Sequence, residues 1–274
     1  MVKNDGVMGA EVRGLDEAGI GDPETAARLN RALLDHQKLC LKDQALDDRA
    51  YARLARVFGE PKVQLVEKIR LEETPEITLI SNYNDMAGGK PYVSANHWHT
   101  DDSYFAVPAK ATMLYAKALP STGGDTQFIN TYAVLDAMPA ALRTRIEGLK
   151  AVHTYVSRRA KSLVQNRTDE EKAKTPPVTH PLIRTHPETG RQSLYINPNR
   201  ISHVEGMSEA DGDALLDELY AFAFQEKFQH RHKWTLGDII VWDNRCTLHR
   251  ASNDFDLTER REFHRILLEG TVPV

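Results

Sequence analysis

Pro120-Ser121-Thr122-Gly123-Gly124-Asp125 stands between two apolar runs, Ala111–Leu119 and Thr126–Asn130, and the three read as strand, turn and strand. Further short strands are expected outward from this unit, at 9–15, 76–81 and 152–156, then at 180–185, 193–197, 229–234, 238–243 and 262–269. Helical patterns are fewer. One starts at Asp22-Pro23, with the aspartate as N-cap and the proline as first helical residue. A second runs from Asp47 to Phe58, stopped by Gly59 with Pro61 beyond it; others cover 131–147 and Ser208–Gln225. Many short strands with a few surface helices favour a mainly β fold, a double-stranded β-helix (jelly roll) with flanking helices, over a doubly wound α/β fold. All-β units of this size are commonly one domain, so 1–274 is expected to be one.

Composition narrows the function classes. Hydrophobic residues make up 41% of the chain and charged residues 27%, enough for a sizeable core. The net charge of −4 gives no basic field for nucleic acid. No apolar run is long enough for a membrane span, and Met1–Ala10 lacks the apolar centre of a signal peptide. Cys40 and Cys246 make no disulfide framework, so a cytoplasmic setting is expected. The mixed polar stretch 157–178, which holds Arg158, Arg159 and two prolines, reads as a mobile lid or partly ordered loop.

Two short motifs carry the chemistry. One is Asn96-His97-Trp98-His99-Thr100-Asp101-Asp102; the other is Trp242-Asp243-Asn244-Arg245-Cys246-Thr247-Leu248-His249-Arg250. In an extended segment residues i and i+2 share a face, so His99 and Asp101 present an imidazole and a carboxylate side by side, while Trp98 turns to the core. With His249 brought in from another strand, the set suits a non-heme Fe(II) site with positions left open for an organic cosubstrate and O2. Arg261 and Arg265 follow, and a buried guanidinium grips a carboxylate in a planar fork. Each piece alone has a plainer reading, as a locally hydrogen-bonded loop, a buried structural histidine or a solvated arginine pair.

Taken together and in order, these blocks resemble the TauD/TfdA family of Fe(II)- and 2-oxoglutarate-dependent dioxygenases. The resemblance spans nearly the whole chain. It rests on Trp98–Asp101, Leu119–Thr126, His180-Pro181-Leu182-Ile183-Arg184-Thr185-His186-Pro187, Gly237–Arg245, His249-Arg250-Ala251, Arg260-Arg261 and His264-Arg265. It implies that His99, Asp101 and His249 hold iron, and that Thr126 and Arg261 hold the distal carboxylate of 2-oxoglutarate. Arg265 would reach the anionic end of the primary substrate or orient the cosubstrate. The implied reaction consumes 2-oxoglutarate and O2, releases succinate and CO2, and oxidises a C–H bond, most simply by hydroxylation. Family members are commonly dimers or tetramers, so a homo-oligomer is expected. A zinc-type metallohydrolase and a non-catalytic small-molecule sensor on the same scaffold are the alternatives.

The partner expected is a small anionic organic molecule. Taurine is disfavoured: taurine-type members carry a His and a Tyr in the region of Pro61–Val66 and an Asn at Ala95, and those polar groups are missing here. Where they place an aromatic residue this chain has Arg200. Pointing inward, Arg200 would meet a second acidic group of the substrate; pointing outward it is a surface arginine, the reading favoured by the solvation of charge. Arg158 and Arg159 share that ambiguity, and Asp102 is a further candidate for the pocket wall.

Overall fold

The computed structural model describes residues 1–4, 6–83, 91–93, 95–160 and 168–274. The elements in chain order are β1 (Val2–Lys3), β2 (Ala10–Val12), α1 (Glu17–Gly21), α2 (Pro23–His36), β3 (Lys38–Leu41), α3 (Asp48–Phe58), β4 (Pro61–Lys62) and β5 (Thr78–Ser81). Then come β6 (Ala111–Ala118), β7 (Thr126–Asn130), α4 (Thr131–Asp136), α5 (Ala140–Ile146), β8 (Lys150–His153), α6 (Asp169–Ala173), β9 (Val178–Pro181) and β10 (Ile183–Thr185). The chain ends with β11 (Gln192–Leu194), β12 (Ile201–Val204), α7 (Glu209–Ala223), β13 (Gln229–His232), β14 (Ile239–Asp243), β15 (Thr247–Ala251) and β16 (Glu262–Leu268).

The helix starts follow the capping logic. Asp22 accepts from the Thr25 N–H with Pro23 in the first turn, Asp47 accepts from the Ala50 N–H, and Ser208 from the Asp211 N–H. The helix expected over 131–147 is instead two, α4 and α5. Pro139 lacks an N–H and disfavours helical backbone in the residue before it. The strand expected at 180–185 is also two, β9 and β10, which belong to different sheets.

The opening strand-turn-strand unit is a corner rather than a hairpin. β6 pairs with β14 and β16 inside an eight-stranded sheet ordered β1-β2-β3-β14-β6-β16-β4, with β5 also on β16. β7 pairs with β13 and β15 in a separate three-stranded sheet. The chain therefore crosses from one sheet to the other at Pro120–Asp125, as a jelly roll requires.

Strand alternation sets the layers. Ala111, Met113 and Tyr115 of β6, Ile239 and Val241 of β14, and Ile266 and Leu268 of β16 face outward under α2 and α3. Their alternates Leu114, Ala116, Ile240, Trp242 and Phe263 face inward and meet Phe128 of β7. On the small sheet Ile129 and Leu248 turn away, into a second core with α4, α5 and α7. Each large side chain so buried contributes about 2–3 kcal/mol. The space between the sheets holds aromatic residues and also the polar groups of the site.

Candidate active site

His99 and His249 meet as an isolated antiparallel bridge. The His99 N–H donates to the His249 carbonyl at 3.0 Å and the His249 N–H to the His99 carbonyl at 2.8 Å. This register brings the two rings to 4.1 Å between centroids, tilted at 45°. Asp101 is two residues on, on the same side: His249 Nε2 lies 3.6 Å from its Oδ2 and His99 Nε2 3.9 Å from its Oδ1. Trp98 turns the other way into the second core, with the Arg250 guanidinium over its ring at 4.5 Å.

The three groups are held in the protonation states a metal needs. Burial pushes His249 down to about 4 and also pushes His99, beside it, well down, so both imidazoles are neutral at neutral pH. Burial acts to raise Asp101, but His249, Arg265 and His99 beside it and the Thr112 hydrogen bond hold it below the usual carboxylate range. His99 Nδ1 lies 2.9 Å from the His97 carbonyl, which fixes the proton on Nδ1 and leaves the Nε2 lone pair facing Asp101. The ligand atoms all lie within 4.8 Å of one another. Two neutral imidazoles and one carboxylate on one side fit a six-coordinate Fe(II) with open positions.

A chain of hydrogen bonds aims the carboxylate. Trp242 Nε1 donates to Asn244 Oδ1 at 2.9 Å, Asn244 Nδ2 to Thr112 Oγ1 at 2.8 Å, and the Thr112 hydroxyl to Asp101 Oδ2 at 2.6 Å. Thr100 Oγ1 donates to the Asn244 carbonyl at 2.9 Å, tying the two motifs together. Thr112 and Asn244 were not singled out in the sequence. The available signal is a threonine on a strand face whose other inward residues, Leu114 and Ala116, are apolar.

Further residues of the second motif and of the His180–Pro187 block brace this centre. Arg245 grips Asp243 through Nε and Nη2 at 2.8 and 2.6 Å, and His186 Nε2 meets Asp243 Oδ2 at 3.0 Å. That buried network fixes the β14–β15 turn, which delivers His249.

Arg261 is buried at 5% exposure, and no carboxylate lies within ion-pair distance of it among the described residues. Its neighbours Asp125 and Asp254 are both taken by Arg231. Arg261 Nε donates to the Gly124 carbonyl at 2.8 Å, and its guanidinium lies 4.4 Å over the Phe263 ring. Burial lowers it to about 10, against the pull of Asp125 and Asp254. The Gly-Gly turn makes room for it. Gly123 and Gly124 have φ of +71° and +68°, and a Cβ on Gly124 would come 3.2 Å from Arg261 Cδ. Thr126, at the start of the next strand, is buried, and its Oγ1 accepts from Trp234 Nε1 at 3.0 Å.

A cavity opens beside His99 and Asp101, with Arg265, Arg200, Asp102 and Gln64 among its walls. Arg265 shares the inward face of the last strand with Phe263. Its Nη1 is 3.9 Å from Asp101 Oδ1, and its Nη2 donates to Gln64 Oε1 at 3.4 Å. Asp102 sits at φ +58° and is engaged by Lys62 Nζ at 2.8 Å and the Tyr104 hydroxyl at 3.2 Å. Arg200 is a cavity wall, not the outward arginine that solvation favours: its guanidinium lies 4.9 Å over Tyr104 and 4.5 Å over Tyr155, and its Nη1 donates to the Tyr155 carbonyl. Two aromatic faces replace part of the water it gives up. Arg158 and Arg159 take a different path, to Asp213 and Asp217 of α7. Of the lid expected over 157–178, residues 161–167 lie outside the described residues.

Comparison with known proteins places these features. The profile described as "Taurine catabolism dioxygenase TauD, TfdA family" matches residues 3–267. An alpha-ketoglutarate-dependent 2,4-dichlorophenoxyacetate dioxygenase of Cupriavidus pinatubonensis is 41% identical over 168 residues, which span 61% of this chain and 58% of that relative. An (S)-phenoxypropionate/alpha-ketoglutarate-dioxygenase of Sphingobium herbicidovorans is 32% identical over 262 residues, 93% of this chain and 88% of that one. The crystal structure of a taurine dioxygenase from Burkholderia xenovorans superposes with a TM-score of 0.84 at 31% identity, covering 100% of this chain and 90% of that one. The double-sheet fold, the His99–Asp101–His249 cluster and a match over nearly the full length agree: the chain belongs to the TauD, TfdA family of dioxygenases.

Proposed function

We propose that this protein is an Fe(II)- and 2-oxoglutarate-dependent dioxygenase that hydroxylates a C–H bond of a small anionic organic molecule. The observation that carries the reading is Arg261, a buried guanidinium without a carboxylate among the described residues, in the same inter-sheet space as a His-Asp-His cluster. A desolvated cation of this kind calls for an anion that the described residues do not supply. The distal carboxylate of 2-oxoglutarate answers that need, with Thr126 as its second hydrogen-bonding partner. A zinc hydrolase has no use for such a group, and a sensor has no use for the metal triad.

His99, Asp101 and His249 would hold the metal, and bound Fe(II) with 2-oxoglutarate and O2 supplies the oxidising power that converts C–H to C–OH, releasing succinate and CO2. The chain's part is to bind, aim and keep dry. Thr112 and Asn244 hold the carboxylate in one rotamer, and the His97 carbonyl holds His99 in one tautomer. Arg265 stands where it can meet an anionic end of the substrate beside the metal. The names of the relatives, a dichlorophenoxyacetate and a phenoxypropionate dioxygenase, agree with a carboxylate-bearing substrate. Taurine fits poorly. Asp101 and Asp102 are engaged with Thr112 and Lys62, and Gln64, Leu65, Val66 and Ala95 offer no acid for an ammonium. Among the described residues no helix is long and apolar enough to cross a membrane. A reducing compartment and a homo-oligomeric state belong to the proposal; Cys40 and Cys246 are both free and buried.

The test adds Fe(II) and then 2-oxoglutarate to metal-free protein without oxygen. A weak visible charge-transfer band is expected in the wild type, and at the same cosubstrate concentration it should be lost in Arg261→Ala. A folded wild-type protein that gives no band would sink the reading.

A further inference from the structure

We infer that the substrate carries two acidic groups, one at each end, and that Arg200 is the residue that selects for the second. The inference rests on the dioxygenase reading of the same cavity and deepens it.

The charges around the cavity are unequal. Asp102 is matched by Lys62 at 2.8 Å, and Asp101 belongs to the metal cluster with Arg265 at 3.9 Å. Arg200 has no carboxylate within ion-pair distance among the described residues, and its polar contact there is the backbone carbonyl of Tyr155. Tyr104 and Tyr155, packed edge to face at 4.9 Å, both lie against its guanidinium. Holding a cation against two aromatic rings restricts its rotation and strips water from it, yet leaves N–H donors for a carboxylate or sulfonate. Backbone bonds brace the position: Arg200 N–H donates to the Asn197 carbonyl at 3.1 Å, and Thr154 N–H to the Arg200 carbonyl at 2.8 Å.

A further unmet donor lies in the same cavity wall. Gln64 is 8% exposed; its Oε1 accepts from Arg265, while its buried Nε2 has no acceptor among the described residues. Gln64 and Arg265 thus present adjacent donors on one side of the cavity. Leu65, Val66 and Ile69 supply apolar wall. The ligand that satisfies all three features is a small dianion with an apolar middle.

The test titrates anaerobic protein loaded with Fe(II) and 2-oxoglutarate with matched probes: phenoxyacetate against 4-carboxyphenoxyacetate, and propane-1-sulfonate against 3-sulfopropanoate. In at least one pair the dianion is expected to bind about tenfold tighter or better, as one added charge-assisted contact implies. Arg200→Leu should bring that ratio to about one by weakening the dianion alone, and Arg200→Lys should restore part of it. No preference in either pair overturns the inference, as does equal weakening of both probes in Arg200→Leu, which would make Arg200 a support for the Tyr155 backbone. Loss of the charge-transfer band in the wild type is a separate failure: it removes the dioxygenase reading and this inference with it.

Discussion

Among the described residues, two clusters gather metal-ligating residue types within 4.8 Å: His99, Asp101 and His249, and, elsewhere, Cys40, His232 and Asp238. They differ in what is left for a ligand. In the second, Lys42 Nζ takes both oxygens of Asp238 at 2.7 and 2.9 Å, and Lys38 Nζ sits 3.2 Å from His232 Nδ1. Burial raises the Cys40 thiol to about 12, far from a metal-binding thiolate. In the first, the carboxylate faces two imidazole lone pairs, and the nearest cation, Arg265, stands 3.9 Å off. Proximity of ligand types is therefore not a site. A site also needs lone pairs that the protein's own cations have not already taken.

Breaking each cluster at its carboxylate gives the sharpest contrast. Asp101→Ala should weaken Fe(II) binding by more than about 100-fold, beyond the usual cost of losing an outer partner, and abolish succinate release. Asp238→Ala should leave Fe(II) binding within twofold of wild type and instead cost about 3 kcal/mol of stability, because Lys42 loses its buried counter-charge. Calorimetric metal titration and urea melts read both effects; equal loss of metal binding in the two variants would erase the distinction.

Next in size is Arg261→Ala, expected to raise the KM for 2-oxoglutarate by about 30–100-fold, the cost of leaving one half of a buried charge pair alone. Initial rates at varied cosubstrate measure it, and an unchanged KM removes Arg261 from the cosubstrate site.

A pH series sharpens the second cluster. Burial, with Lys38 nearby, lowers His232 to about 4 from the free value of 6.5. Between these values the unfolded chain binds a proton that the folded chain refuses. The contribution is therefore complete above pH 6.5 and is lost as pH falls towards 4, roughly 3 kcal/mol. Melting temperatures of wild type and His232→Asn across that window should converge at the acid end; parallel curves would refute the assignment.

The smallest expected effect is Thr112→Val, which removes the hydroxyl on Asp101 while keeping the side chain's shape. Fe(II) affinity should fall by about tenfold. Affinity indistinguishable from wild type would show that the hydrogen-bond chain from Trp242 does not aim the carboxylate.

What could be read in the sequence was local. Asp22-Pro23, Asp47 and Ser208 start helices because a side-chain oxygen reaches its own helix's N–H groups, and Gly59 ends one; no distant residue enters that chemistry. The i, i+2 geometry of His99 and Asp101 is equally local, and so is the Gly-Gly turn before Thr126. Strands β1, β3, β4, β12 and β15 are not legible in the sequence. Lys38 is buried beside His232, and His249 and Arg250 make β15 look polar, so neither strand shows the apolar alternation that marks one from its own residues.

The sequence by itself determined the fold class, the ligand types and the order of the motifs, because capping, alternation and turn chemistry are properties of neighbours in the chain. Only the tertiary structure decided which charges are spent and which remain free. It brought Lys42 to Asp238 and Lys62 to Asp102, left Arg261 without a described acid, and turned Arg200 onto Tyr104 and Tyr155 in the cavity. Each of these pairings joins residues separated by tens to hundreds of positions. Whether a charge is matched depends on distance and burial, and the packing of the two sheets sets both.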